Sequence, residues 1–267
     1  MRAALVAEYR KLLSTRMWWI LLLALAGYLA FIGGVMGLSL TVAPQQEGGP
    51  PPLGGADLAA AVYGLGNAVG YVFPLVIGSL AMTTEFRYRT ITQSLLVEPR
   101  RGVLRGAKLL ATVPLGILYG VVGTAAVVGV AAPILESAGD GAFLGDGEVL
   151  RVIVLSVVVS ALWAVIGVAF GSVVTNQVAA IVVILAFTQF VEPIARIALG
   201  AFDPTEGIAR FLPGAAADGL LGASFYAAFG GAETDLLPRW AALLVLLAYA
   251  GGLALLGRLT TLRRDIG

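Results

Sequence analysis

The sequence predicts an all-α integral membrane protein with six transmembrane helices, and three observations lead there. Of the 267 residues 59% are hydrophobic and only 12% charged, with a mean hydropathy of +0.93, far from the balance of a soluble domain. The charges are clustered, so that long uncharged runs alternate with short polar connections. One such connection, residues 84–108, holds six of the seventeen basic residues (Arg87, Arg89, Arg100, Arg101, Arg105 and Lys108) against Glu85 and Glu98 alone. Each cation would cost about 2.5–3.5 kcal/mol at a bilayer centre, so this island is expected to stay in water as a cytoplasmic loop while its flanks enter lipid.

The elements follow in chain order. Over residues 1–16, Leu5, Val6, Tyr9, Leu12, Leu13 and Met17 fall on one side of a helical wheel, and Glu8, Arg10, Lys11, Ser14 and Thr15 on the other. That separation predicts an amphipathic helix on a membrane surface. The uncharged run 17–40 is long enough for a first span and too long for the apolar core of a signal peptide, about 7–15 residues. A Pro/Gly-rich linker, 44–55, carries no basic residue.

A second span is expected at 63–83. Tyr63, Asn67 and Tyr71 recur every fourth residue and would share a face beside the close-packing pair Gly66 and Gly70, with a kink expected at Pro74. That polar stripe reads either as a pathway lining or as glue between helices. The third span, 109–132, carries another such pair, Gly116 and Gly120. The charge-free stretch 152–191 is about twice what one span needs, so it predicts two helices, 152–174 and 178–199, turning at Thr175, Asn176 and Gln177. Glu192 and Arg196 are spaced to pair on one helix face, and Gln189 and Glu192 are the deepest strong polar groups there. Glu192 reads equally as a pathway residue and as half of a structural ion pair. Residues 203–238 begin with a helix start at Asp203, Pro204 and Glu206 and continue as an apolar stretch too short to cross, which carries Asp218. A re-entrant or interfacial hairpin is expected there, before a last span at 240–257.

Six crossings put both termini and the island on one side. That side carries thirteen Lys/Arg and the other four (Arg151, Arg196, Arg210 and Arg239), which makes it cytoplasmic.

A surface helix, six spans, a basic segment after the second and an apolar hairpin before the sixth resemble the membrane subunit of an ATP-binding cassette (ABC) exporter of the type-2 permease family. The resemblance covers nearly the whole chain. Locally, Glu8, Tyr9, Arg10, Lys11 and Leu12 with Thr15 and Arg16 look like that family's elbow helix. Glu85, Phe86, Arg87, Thr90 and Ile91, then Pro99, Arg101 and Lys108, look like its ATPase-coupling segment, with Arg89 where many such proteins have a glycine. The resemblance implies a short coupling helix over about 84–97 docked on a separate ABC ATPase, present in two copies. It further implies a second permease chain, a homodimer being favoured over a heterodimer, an outer gate at the hairpin, and a bacterial plasma membrane location.

The residues agree with a division of labour, because no GxxxxGK[ST] phosphate loop occurs in this chain. No cofactor is expected on it; ATP and Mg would sit on the partner. With neither Cys nor His it offers no thiolate, imidazole base or zinc site, so no catalytic or metal residue is expected. Nothing points to nucleic acid. Tyr63, Asn67, Tyr71, Gln189 and Glu192 remain as candidate pathway-lining groups. The first four spans carry no fixed charge, so the expected cargo is hydrophobic or amphiphilic: a drug, lipid or peptide. A non-transporting sensor or scaffold coupled to a cytoplasmic partner would explain the island equally well.

Overall fold

The computed structural model describes residues 2–42, 54–97, 100–139, 141–200, 207–226 and 236–260. The described residues are helical or connecting, with no strand among them. Six helical segments are long and apolar enough to cross a membrane: Met17–Ser39, Gly55–Arg87, Gly102–Ala138, Gly147–Val173, Gln177–Leu199 and Arg239–Thr260. Residues 44–53 of the linker, Pro99, and the helix start at Asp203, Pro204 and Glu206 lie outside the described residues.

The chain begins with α1 (Arg2–Ser14) and α2 (Met17–Val42). In α1 the apolar residues Val6, Tyr9 and Leu13 are exposed, whereas Glu8 is its buried residue and faces the bundle. The bundle therefore holds α1 through Glu8, while part of its apolar face stays exposed and Leu5 and Leu12 are half-buried.

The second segment departs from the single helix expected at 63–83. It is built from α3 (Gly55–Tyr63), α4 (Leu65–Ala68) and α5 (Val72–Arg87). The interruptions fall at Gly64 and at residues 69–71, and Pro74 does not make them. It occupies the first turn of α5, where its missing N–H has no intrahelical acceptor to lose. Backbone bonds bridge the breaks, from Asn67 N–H to Gly64 O (2.9 Å), Gly70 N–H to Gly66 O (3.0 Å) and Phe73 N–H to Gly70 O (3.1 Å), so the irregular stretch leaves few orphan groups in an apolar setting.

The charged island is largely helical. It comprises the end of α5, the short α6 (Ile91–Val97) and the start of α7 (Arg101–Ala138). The hydropathy break marks where charge begins; the hydrogen-bonded helix continues through it. At 1.5 Å per residue, α7 is roughly 57 Å long against a hydrocarbon core of ~30 Å, so it is far longer than one crossing needs. Next come α8 (Gly147–Val173), capped by the Asp146 carboxylate accepting from Glu148 N–H (2.9 Å), and α9 (Gln177–Ala186), capped by Asn176. A π-helical turn, Phe187–Val191, leads into α10 (Glu192–Gly200). A buried short helix, α11 (Pro213–Leu221), and α12 (Arg239–Thr260) complete the described chain.

α8 is the axis of the bundle, packed on α5, α7 and α12, with α2 against α7 and α9 against α5. Between helices in lipid, attraction comes from close packing, and small residues permit it. A Cβ added at Gly78 of α5 would run into the Ala164 carbonyl of α8, and one at Gly167 of α8 into the Leu75 carbonyl of α5. Gly116 and Gly120 of α7 meet α8 backbone, where added Cβ atoms would lie 2.7 Å from Ala161 Cα and 2.6 Å from Val157 Cα. Both contacts are backbone on backbone.

Gly78→Ala should therefore destabilise the fold by about 1–3 kcal/mol, the usual range for overpacking. Gly129→Ala, at an exposed helical position with nothing within 4 Å, should stabilise it by up to ~1 kcal/mol. Thermal unfolding in detergent reads both, and shifts of the same sign would contradict the packing account.

Candidate functional site

Two polar clusters lie at opposite ends of α5. At the basic end of the bundle, α1, α5, α6 and α7 meet over four charges. Lys108 Nζ, on a residue 2% exposed, donates to Glu8 Oε2 at 2.6 Å and lies 2.9 Å from Glu85 Oε1. Lys11 Nζ donates to Glu8 Oε1 (2.7 Å), Glu85 Oε1 (2.8 Å) and Ser94 Oγ (2.9 Å). Two ammonium groups and two carboxylates alternate, so the charge cancels within the cluster. Partial burial opposes the charged form of Lys11, but the bonds to Glu8 and Glu85 outweigh it and raise its pKa above the ordinary lysine value. Glu8 and Lys11 of α1 thus form one site with Glu85 of α5 and Lys108 of α7.

Beyond it, α5 ends in a Schellman turn: Thr90 N–H bonds Glu85 O (2.9 Å), Arg89 N–H bonds Phe86 O (3.3 Å), and Arg89 takes φ +55°. A side chain in that left-handed region costs about 1–2 kcal/mol relative to glycine. The strained arginine is exposed together with its chain neighbours Arg87 and Tyr88 (65% exposed), and Leu96 (79% exposed) is exposed on the short α6 that follows. Arg87 also donates to Gln177 Oε1 at the start of α9 (3.1 Å). Phe86 and Thr90 are half-buried, Arg10 is exposed, and Ile91 and Arg101 open α6 and α7.

At the opposite end, α4, α10 and α11 converge. Glu192, 1% exposed, accepts from Tyr71 Oη (2.8 Å), from Arg196 Nη2 (3.1 Å) and from Gly214 N–H in the first turn of α11. A carboxylate at that helix N-terminus meets an unpaired N–H and the positive end of the helix dipole. A Cβ at Gly214 would meet the ends of the Arg196 and Glu192 side chains, which would have to shift from their paired positions. Asp218, also 1% exposed, accepts from Arg196 Nη1 (2.7 Å), Asn67 Nδ2 (2.6 Å) and Ser224 Oγ (2.8 Å). The Arg196 guanidinium stacks over the Tyr226 ring at 4.7 Å, and Trp163 Nε1 donates to Asn67 Oδ1 (3.3 Å).

The π-helical turn has a local cause. Glu192 N–H reaches back to Phe187 O, so the same spacing sets the Thr188 carbonyl against Pro193, which has no N–H to give. Tyr71 Oη lies 3.2 Å from that carbonyl and helps to satisfy it.

Of the five pathway candidates, Asn67, Tyr71 and Glu192 come together in this cluster. Tyr63 turns away and donates to Ala142 O (2.9 Å), and Gln189 reaches only its neighbour Thr188 (3.3 Å). A cavity of about 30 Å³ borders Asn67, Tyr71 and Trp163, room for a water or two. Glu192 thus faces the α11 N-terminus and its ion partner, with no cargo-sized opening beside it among the described residues. Asp218 is the central group that sequence reasoning left unassigned, and its signal was a lone carboxylate in an apolar stretch.

Removing one partner of a buried pair leaves the other uncompensated, which typically costs about 3–5 kcal/mol. Arg196→Met, which leaves both Glu192 and Asp218 buried without their cation, should lower stability by at least that amount, and Asp218→Leu, which leaves Arg196 paired with Glu192, by clearly less. At the other cluster Lys108→Ala should cost several-fold more than Lys11→Ala, because the Lys11 side chain is 46% exposed and its ion pairs are screened. Equal unfolding midpoints for the two lysine variants would contradict this burial argument. No protein-family model matches the chain, and a search of the curated proteins gives no match.

Proposed function

We propose that this protein is the membrane permease subunit of an ATP-driven exporter, coupled to a separate ABC ATPase. One observation carries the reading: a four-charge cluster, buried at Glu8, Glu85 and Lys108 and half-exposed at Lys11, ties α1 and the start of α7 to the end of α5 and reaches α6 through Ser94, beside exposed groups of mixed character. Arg87 and Arg89 supply charge and Tyr88 and Leu96 supply apolar area. A loop that merely fixed topology or bound lipid headgroups would need only the charge. Charged, aromatic and aliphatic groups on a braced turn suit a soluble protein surface. The strain at Arg89 supports the same reading, since backbone strain persists where function requires it.

In this account the basic end faces the cytoplasm of a bacterial cell, and each of two ATPase subunits, carrying ATP and Mg, seats on one set of these exposed groups. A second permease chain, most simply a copy of this one, completes the pathway. Because the cluster ties these elements together, a push on the exposed groups moves α5 as a rod towards Tyr71, Glu192 and the α11 hairpin, which acts as the outer gate. The cargo is hydrophobic or amphiphilic, which suits spans whose deepest charges, Glu192 and Arg196, pair with each other. A sensor or scaffold built on the same surface remains the alternative, and ATP-dependent transport separates the two.

The test uses exposed residues, whose substitution spares the fold. Arg87→Glu with Leu96→Asp should reduce a co-purifying ATPase about tenfold or more and abolish ATP-dependent transport, while the amount of folded protein in the membrane stays constant. Undiminished capture and transport would overturn the assignment. Arg89→Gly should raise stability by about 1 kcal/mol while weakening capture.

A further inference from the structure

We propose that the cavity beside Asn67 and Tyr71 is a binding site for a single sodium ion. The polar cluster next to it is not neutral. Glu192 and Asp218 are two buried carboxylates, and Arg196 is the one cation bonded to either among the described residues, so the cluster holds one negative charge in excess. At the basic end of the bundle, by contrast, Lys11 and Lys108 balance Glu8 and Glu85. An uncompensated charge among buried groups is costly, and it draws a cation strongly because the surroundings screen little. The cavity of about 30 Å³ lies one side chain away from each carboxylate. Asn67, in its lining, donates to Asp218 (2.6 Å), and Tyr71, also in its lining, donates to Glu192 (2.8 Å).

The lining supplies oxygen ligands and selects a small monovalent ion. Thr124 of α7 is only 7% exposed, and its hydroxyl and that of Ser160 on α8 find no hydrogen-bond partner among the described residues. Ser156 donates to Val152 O (2.8 Å), which leaves its own oxygen able to accept. The break in the second segment adds to these, since among the described residues no backbone N–H is bonded to the Asn67 carbonyl. Interrupted membrane helices offer such carbonyls to sodium ions. No acidic residue is among the described residues that line the cavity, so a calcium or magnesium ion would lack the carboxylates it takes. An organic cation does not fit a space of one or two waters. Water alone would satisfy the hydroxyls and leave the excess charge in place, whereas a sodium ion meets both needs. The site stands on the bundle itself and does not depend on what the protein transports.

The experiment is thermal unfolding of the purified full chain in detergent, in sodium, potassium or choline chloride at one ionic strength. Sodium should raise the unfolding midpoint saturably, potassium less, and choline not at all. Thr124→Val removes a cavity oxygen with little change of shape, so it should raise the half-saturating sodium concentration about tenfold or more. In choline the same variant should unfold no earlier than the unaltered protein, because the hydroxyl it removes has no partner to lose. A merely structural threonine would instead destabilise in both salts when replaced. Asp218→Asn, which leaves Arg196 paired with Glu192 and removes the excess charge, should abolish the sodium response. Equal midpoints in sodium and choline, or a larger rise in potassium than in sodium, would overturn the site. So would a Thr124→Val or Asp218→Asn protein that responds to sodium as the unaltered one does.

Discussion

An ionised side chain removed from water has to be met by opposite charge and hydrogen-bond donors, and the architecture is arranged around two places where that happens. In a membrane-spanning bundle the penalty for failing is larger than in a soluble core, because lipid offers no substitute donor. The chain places its buried carboxylates at the two ends of α5 and brings a cation to each end: Lys108 of α7 to Glu8 and Glu85, and Arg196 of α10 to Glu192 on the same helix and Asp218 on α11. Between these clusters the helices need only pack, and they do so at bare backbone where Gly78 and Gly167 face each other's partner helix.

This division explains the composition of the segments. The second segment is the most enclosed, with 78% of its apolar window buried, while the first, fifth and sixth bury only 22% each. A helix hidden on all sides can hold Asn67 and Tyr71, because neighbours supply their partners. Helices at the rim carry Leu23, Phe31, Ile194 and Ile197 outward, as a lipid-facing surface requires. Position in the bundle therefore decides which residues are permitted on each helix.

Much of the architecture was legible in the sequence, since uncharged runs of span length are a direct imprint of the bilayer and Gly116 and Gly120 mark a close approach wherever they lie on a helix. The i, i+4 pair of Glu192 and Arg196 was legible for the same reason: both members sit on one element. What could not be read is whatever joins elements distant in the chain. Asn67 meets Asp218 across 151 positions, and Lys108 meets Glu8 across 100, so no local period announces either. The breaks in the second segment are not announced by Pro74, because a proline in a first turn is tolerated, and they fall before it, at Gly64 and at residues 69–71. The island read as a loop because hydropathy reports the edge of the membrane and carries no information on whether the helix stops there.

The bond between Asn67 and Asp218 also has a meaning in time. A ribosome delivers the second segment to the membrane long before residue 218 exists, so during synthesis Asn67 lies in an unfinished bundle without its carboxylate. The most enclosed part of the protein is among the first to be made, yet it is sealed only when α11 arrives. A nascent chain stalled before Asp218 is therefore an assembly intermediate with an open seam, the state in which an insertase, a chaperone or a membrane protease would meet it.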